Sequence, residues 1–229
     1  SFTYIATTEV VALLKLKPVF VDVDPFTYCM DIESLKKAIT PKTKALLFSS
    51  PCNPTGSVYL ESELKAIAEV ISKHPGIIIV ADEIYEYINF TGKHISIGSF
   101  PEVKDQTVTV NGFSKGYAMT GWRLGYMGGP QWLSDACNKV QGQITSGANS
   151  FSQKAATFAL QTKLPETELM KTAFLKRRDM VLQLLQEIPG VKVNLPLGAF
   201  YIFPDISAYF GKKSDTMEIN NANDFCDYI

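Results

Sequence analysis

Apolar positions along this chain change their period in a regular order. Ile77 to Ala81 (IIIVA) is a near-continuous apolar run, the pattern of a parallel strand covered on both faces. Lys44 to Ser49 (KALLFS) and Gln106 to Val110 (QTVTV) are further strand-like runs, and Arg123 to Met127 (RLGYM) reads as another. Between the first two, Leu64, Ile67, Ala68 and Ile71 recur at helical spacing within a helix expected from Leu60 to Lys73. The β-branched stretch Pro18 to Asp24 (PVFVDVD) predicts a short strand. A helix from Asp31 to Ile39 comes next, with Asp31 placed to cap it and Pro41 just beyond its end. Helix dominates from about Pro130 to Glu187, with an interruption near Pro165. Strand returns at Val191 to Asn194 and at Ala199 to Phe203. The chain opens in a loop leading into a helical segment, and Asn223 to Ile229 is amphipathic, like the middle of a helix.

Strands alternating with helices predict an α/β fold: a three-layer, mainly parallel sheet with helices on both faces. Residues 1–165 would form this large domain. Residues 166–229 would supply an interdomain helix and the start of an α+β small domain. The absence of an initial Met, and of any cap or stop signal at the far end, leads us to expect a fragment of a longer protein.

In open parallel sheets, ligands sit outside the carboxyl ends of the strands. The residues just past each strand are therefore the test of chemistry. After KALLFS comes Ser50-Pro51-Cys52-Asn53-Pro54-Thr55-Gly56, a tight turn that would aim the Asn53 amide into the crevice. After IIIVA comes Asp82-Glu83-Ile84-Tyr85, and after QTVTV comes Asn111-Gly112-Phe113-Ser114-Lys115, with Arg123 eight positions on. An amide, a carboxylate, a phenol, an amine and a guanidinium are thus expected at one sheet edge. Each has an ordinary structural reading: Asn53 as a turn residue, Asp82 as a helix cap, Lys115 as a solvated charge. The case rests on the ordered set.

Composition narrows the choice. The chain has 229 residues, 46% hydrophobic and 20% charged, enough to bury a core. Lys plus Arg is 22 against 23 Asp plus Glu, a net charge of -1, which argues against a polybasic nucleic-acid or membrane-surface partner. No stretch is long and apolar enough for a membrane span. Four scattered cysteines without a CxxC pair, and only His74 and His94 beside them, make a structural zinc site a poor reading. They favour reduced thiols in a cytoplasmic protein. Neither GxGxxG nor GxxxxGK[ST] is present, and both histidines read as ordinary loop residues. Asn89-Phe90-Thr91 fits a glycosylation sequon that an intracellular chain would not use.

The ordered set Asn53-Pro54-Thr55-Gly56, Asp82-Glu83-Ile84-Tyr85 and Ser114-Lys115 with Gly121-Trp122-Arg123 resembles the class I/II pyridoxal-phosphate aminotransferases of fold type I. The resemblance runs from about Pro41 to the end. Gly116 to Tyr126 and Gly198 to Pro204 look most like bacterial aspartate aminotransferases. Ser1 to Thr8 and Pro18 to Pro25 look more like sugar-nucleotide aminotransferases, so the chain reads as a composite with a seam near Ile39 to Lys44.

The resemblance implies pyridoxal 5'-phosphate as cofactor, an amino acid and a 2-oxo acid as substrates, aspartate first among the donors, and a homodimer. It gives Lys115 the cofactor aldehyde and the proton transfer, Asp82 the pyridine nitrogen, Tyr85 and Asn53 the ring phenolate, and Arg123 the phosphate. Tyr4 resembles the aromatic residue that stacks on the pyridine face. Two departures stand out. Gly112 occupies a position where the family often has a phosphate-binding Ser, leaving Ser114 a structural residue. The family's upstream phosphate loop and downstream substrate-carboxylate arginine would lie outside these residues. A lyase, a sugar aminotransferase, a non-catalytic pyridoxal-phosphate-sensing regulator and an inert fragment of the fold stay open as alternatives.

Overall fold

The computed structural model describes residues 2–214 and 217–229. Its centre is a four-stranded sheet, β1 (Ala45–Ser49), β2 (Ile78–Asp82), β3 (Thr107–Gly112) and β4 (Gly125–Gly128), ordered β1-β2-β3-β4. The first three strands are parallel, and β4 returns antiparallel to β3. Ser49 stands opposite Asp82, and Asp82 opposite Val110, so the three parallel strands finish almost level at one edge.

Helix α3 (Glu61–Ile71) connects β1 to β2 and buries Leu64, Ile67, Ala68, Val70 and Ile71, the stripe set by its sequence period. Its start is stabilised by Glu63, whose carboxylate accepts the Leu60 N–H at 2.7 Å. The stripe packs with Leu46, Ile79 and Ala81 of the sheet and with Leu35 of α2 (Ile32–Ala38). Asp31 caps α2 as its side chain accepts the Ser34 N–H at 2.6 Å. A second cluster sets Ala156 and Ala159 of α5 (Ser150–Gln161) against Phe113, Tyr117 and Leu124. A third joins Met170 and Phe174 of α6 (Pro165–Gln186) to Tyr85, Ile88 and Ala199. Two further helices, α1 (Ala6–Leu13) and α4 (Gln131–Ile144), bury none of their residues. The C-terminal part holds two small antiparallel pairs, β5 (Lys192–Val193) with β6 (Pro204–Asp205) and β7 (Lys212–Lys213) with β8 (Glu218–Ile219), and ends in α7 (Ala222–Tyr228). Among the described residues no helix is long and apolar enough to cross a membrane.

The strands and helices between Asp31 and Met127 fall within one or two residues of their expected positions. Three expectations need correction. Pro18 to Asp24 is no strand: only Val23 makes a bridge, to Met30, while Val19 and Phe20 are exposed and pair with no strand among the described residues. Ala199 to Phe203 is no strand either, because Ala199 takes a left-handed φ of 57° that breaks an extended run, and β6 starts only at Pro204. The helical region breaks twice. One break precedes Pro165, which sits in the first turn of α6, where its missing N–H costs nothing. The other is between α4 and α5, where Ser146 is left-handed at φ 62° and Asn149 caps the next helix through the Phe151 and Ser152 N–H groups.

Candidate active site

The level ending of β1, β2 and β3 brings three loops to one edge. The Ser50 N–H donates to the Asp82 carbonyl at 3.0 Å, tying the exit of β1 to the end of β2. The turn beyond it is held from the far end of the chain. Gly56, at φ 68°, offers its carbonyl to both the Leu197 and Gly198 N–H groups at 2.8 and 2.9 Å. A Cβ on Gly56 would lie 2.5 Å from the Pro196 side chain, so the approach requires glycine. Gly198 is equally confined, since a Cβ there would lie 2.7 Å from Pro51. The same segment is bonded to the loop after β2, with the Ala199 N–H on the Ile88 carbonyl at 2.7 Å and the Phe90 N–H on the Leu197 carbonyl at 2.8 Å. Residues 196–201 therefore close over both loops.

This closure builds an aromatic wall. The Tyr85 and Tyr201 hydroxyls are 2.6 Å apart, and Phe200 packs edge-on against Tyr85 at 5.4 Å between ring centroids. The Lys115 ammonium lies 5.7 Å from the Phe200 ring centroid, half-buried and without a carboxylate partner among the described ion pairs. Burial and the Tyr201 hydroxyl push the Tyr85 phenol up, while a hydrogen bond with the Asn53 side chain pulls it down. Lys115, Tyr85 and Asn53 are thus linked through direct neighbours. Asp82 opens to solvent, yet the protein atoms around its recess push its carboxyl above the usual range. The Ile84 N–H, at 3.2 Å, is its only short-range donor among the described hydrogen bonds, and no cation of the described chain neutralises it. A desolvated carboxylate of this kind favours a cationic ligand group.

Arg123 is exposed, with a left-handed φ of 52°, and one guanidinium nitrogen donates to the Thr120 carbonyl at 3.1 Å. It is not joined to Lys115 or Asp82 by a described contact. Tyr4 lies in the loop before α1, more than half exposed, and its ring makes no aromatic contact among the described residues. The glycine at 112 has a packing reason: a Cβ would come within 3.1 Å of Gly125 Cα and the Leu124 carbonyl, where β3 pairs with β4. The Ser114 carbonyl accepts the Thr120 hydroxyl at 2.9 Å, a turn-holding contact.

Sequence reasoning gave no role to Phe200 and Tyr201, although it singled out the motif containing them. It also read His94 as an ordinary loop residue. His94 instead pairs with buried Glu83, Nε2 to Oε2, at 2.8 Å. The available signal was Glu83 itself, a charged residue directly after an apolar strand.

With this geometry in hand, the family model for "Aminotransferase class I and II" matches residues 1–228. The chain belongs to the class I and II aminotransferases. This family depends on pyridoxal phosphate. Its match includes residues 1–40, the stretch whose own motifs look more like sugar-nucleotide aminotransferases, so the family relationship extends to both sides of the expected seam. A bifunctional aspartate aminotransferase and glutamate/aspartate-prephenate aminotransferase of Petunia hybrida is 46% identical over 207 residues, covering 88% of this chain and 43% of that protein. A probable aspartate/prephenate aminotransferase of Rickettsia bellii is 41% identical, covering 99% of this chain and 58% of its own. The crystal structure of the aspartate aminotransferase from Rhizobium meliloti superposes with a TM-score of 0.95 at 36% identity, covering 99% of this chain and 57% of that one. The chain therefore spans about half the length of the relatives it matches.

Proposed function

We propose that this chain carries the lysine-bearing part of a pyridoxal-phosphate aminotransferase site that moves an amino group between aspartate and a 2-oxo acid. The observation that carries the proposal is the gathering of Asn53, Asp82, Tyr85 and Lys115 around the carboxyl ends of β1, β2 and β3. The cofactor supplies a conjugated ring that accepts electrons from the substrate's Cα when bound. Asp82, desolvated and without a cationic partner, suits a protonated ring nitrogen and would hold the proton there. Asn53 and Tyr85 would donate hydrogen bonds to the ring phenolate. Lys115 would carry the aldehyde, and its freed amine would move the proton at the substrate Cα. The Phe200 ring faces its ammonium at 5.7 Å from the ring centroid. Arg123 would present two parallel N–H groups to the phosphate. Tyr4 is assigned the stacking face of the ring on resemblance alone. Residues 1–165 would be the large domain and 166–229 the interdomain helix and part of the small domain. The relatives' names support aspartate as donor. A cytoplasmic homodimer completes the reading, and the free thiol state of all four cysteines is in keeping with that compartment.

Borohydride reduction of the cofactor-treated protein, followed by peptide mass mapping, tests this directly. The pyridoxyl group should be fixed to Lys115 alone, and Lys115→Ala should abolish the adduct. Label spread over several lysines, or an undiminished adduct in Lys115→Ala, would overturn the assignment.

A further inference from the structure

Asp82 and Glu83 are adjacent acids with opposite fates. Successive residues of extended backbone send their side chains to opposite faces. Asp82 opens towards solvent at the strand edge, whereas Glu83 is 4% exposed. Both Glu83 oxygens are taken: Oε2 by His94 Nε2 at 2.8 Å, and Oε1 by the Ser96 hydroxyl at 2.7 Å. Ser96 also lies 3.4 Å from the Thr109 hydroxyl of β3. The Glu83 N–H donates to the Val110 carbonyl at 2.9 Å, so side chain and backbone both bind this residue to the neighbouring strand. Glu86 completes the group, with one ligand-type atom from each of Glu83, Glu86 and His94 lying within 4.8 Å of the others. With each Glu83 oxygen engaged by a hydrogen bond, the arrangement holds this carboxylate as a clamp.

We propose that Glu83 is a positioning residue for the cofactor site: bonded to His94 and Ser96 below the strand edge, it sets the direction in which Asp82 and Tyr85 leave β2. The inference rests on the aminotransferase function proposed for this site. A pinned Glu83 prevents the end of β2 from rotating by one residue, a motion that would exchange the Asp82 and Glu83 side chains between faces. It also fixes the start of the tight turn through Tyr85, where the Glu86 N–H returns to the Glu83 carbonyl at 2.9 Å and the Ile88 N–H to the Tyr85 carbonyl at 2.8 Å. His94 and Ser96 come from the connection to β3, so one carboxylate ties the end of β2, which carries Asp82, to the segment leading into β3, the strand that Lys115 follows.

The test uses the intact protein with pyridoxal phosphate. Wild type, Glu83→Ala, Glu83→Gln and Ser96→Ala are compared by cofactor titration, by the absorbance band of bound cofactor and by thermal melting. Glu83→Ala should bind the cofactor about tenfold or more weakly and shift the band, the scale expected for losing a charged hydrogen bond that orients a partner. Glu83→Gln keeps the shape and one acceptor oxygen, and should restore most of the affinity and the band position. Ser96→Ala should fall between them while melting within a few degrees of wild type. Wild-type affinity and an unshifted band in Glu83→Ala would overturn the inference. If Glu83→Ala does not fold, the same result in Ser96→Ala overturns it. A wild-type protein that forms no lysine-linked band removes the proposed function, and this inference with it. A wild-type band that every variant shares removes the clamp alone.

Discussion

Helices α3 and α4 both carry apolar residues at helical spacing, yet one is sealed and the other lies open. Helix α3 buries five side chains, three of them, Leu64, Ile67 and Ile71, with no exposed surface at all. Helix α4 buries none, and its Trp132, Val140 and Ile144 are 59%, 58% and 74% exposed. Amphipathic spacing defines a face, but it does not supply the cover. For α3 the cover is the sheet and α2, both present within a few dozen residues of sequence. For α4, and for α1 beside it in kind, no comparable cover exists among the described residues.

The sharpest way to break this comparison is through its cysteines. Cys29 belongs to the α3 cluster, and burial pushes its thiol up to about 12, with Glu63 adding to the shift. Cys137 lies exposed on α4. Alkylation near pH 8 should therefore modify Cys137 on the order of a thousandfold faster, since only the thiolate reacts and access differs as well. Peptide mapping at timed intervals measures it, and denaturant should erase the difference. Comparable native rates would show that the α3 flank is not sealed.

The next largest effect is on stability. Ile67→Ala should cost about 3 kcal/mol, the transfer and cavity loss of a fully buried aliphatic side chain. Ile144→Ala should stay within about 0.5 kcal/mol, because its side chain already meets water. Urea unfolding of both variants decides the matter. A loss at Ile144 equal to that at Ile67 would mean that a cover is present in solution. The smallest effect comes from Asp31→Ala, which removes the α2 cap and should cost about 1 kcal/mol. A larger loss would show that α2 contributes more to the sealed flank than Leu35 alone.

The legible parts of the fold were those with local causes. The Asp31 cap, the α3 stripe and the IIIVA strand each depend on residues a few positions apart, and each stands within one or two residues of its expected place. Pro18 to Asp24 misled because a β-branched run becomes a strand only where a partner strand is available, and Val23 finds just one bridge. His94 misled for a similar reason. Nothing near it in sequence discloses that a glutamate eleven positions earlier turns beneath the sheet to meet it.

What the sequence by itself determined was the order of strands and helices and the placing of Asn53, Asp82 and Lys115 directly after strand runs, because hydrophobic period and turn chemistry act over short distances. Only the tertiary structure decided that these residues share a wall with Phe200 and Tyr201. That depends on Gly56 and Gly198 letting residues 196–201 approach the turn after β1, a contact across more than a hundred residues. It also decided which acid faces the site. Asp82 and Glu83 are equally polar as letters. Pairing on one face of the strand end buries Glu83 against His94 and leaves Asp82 to the other.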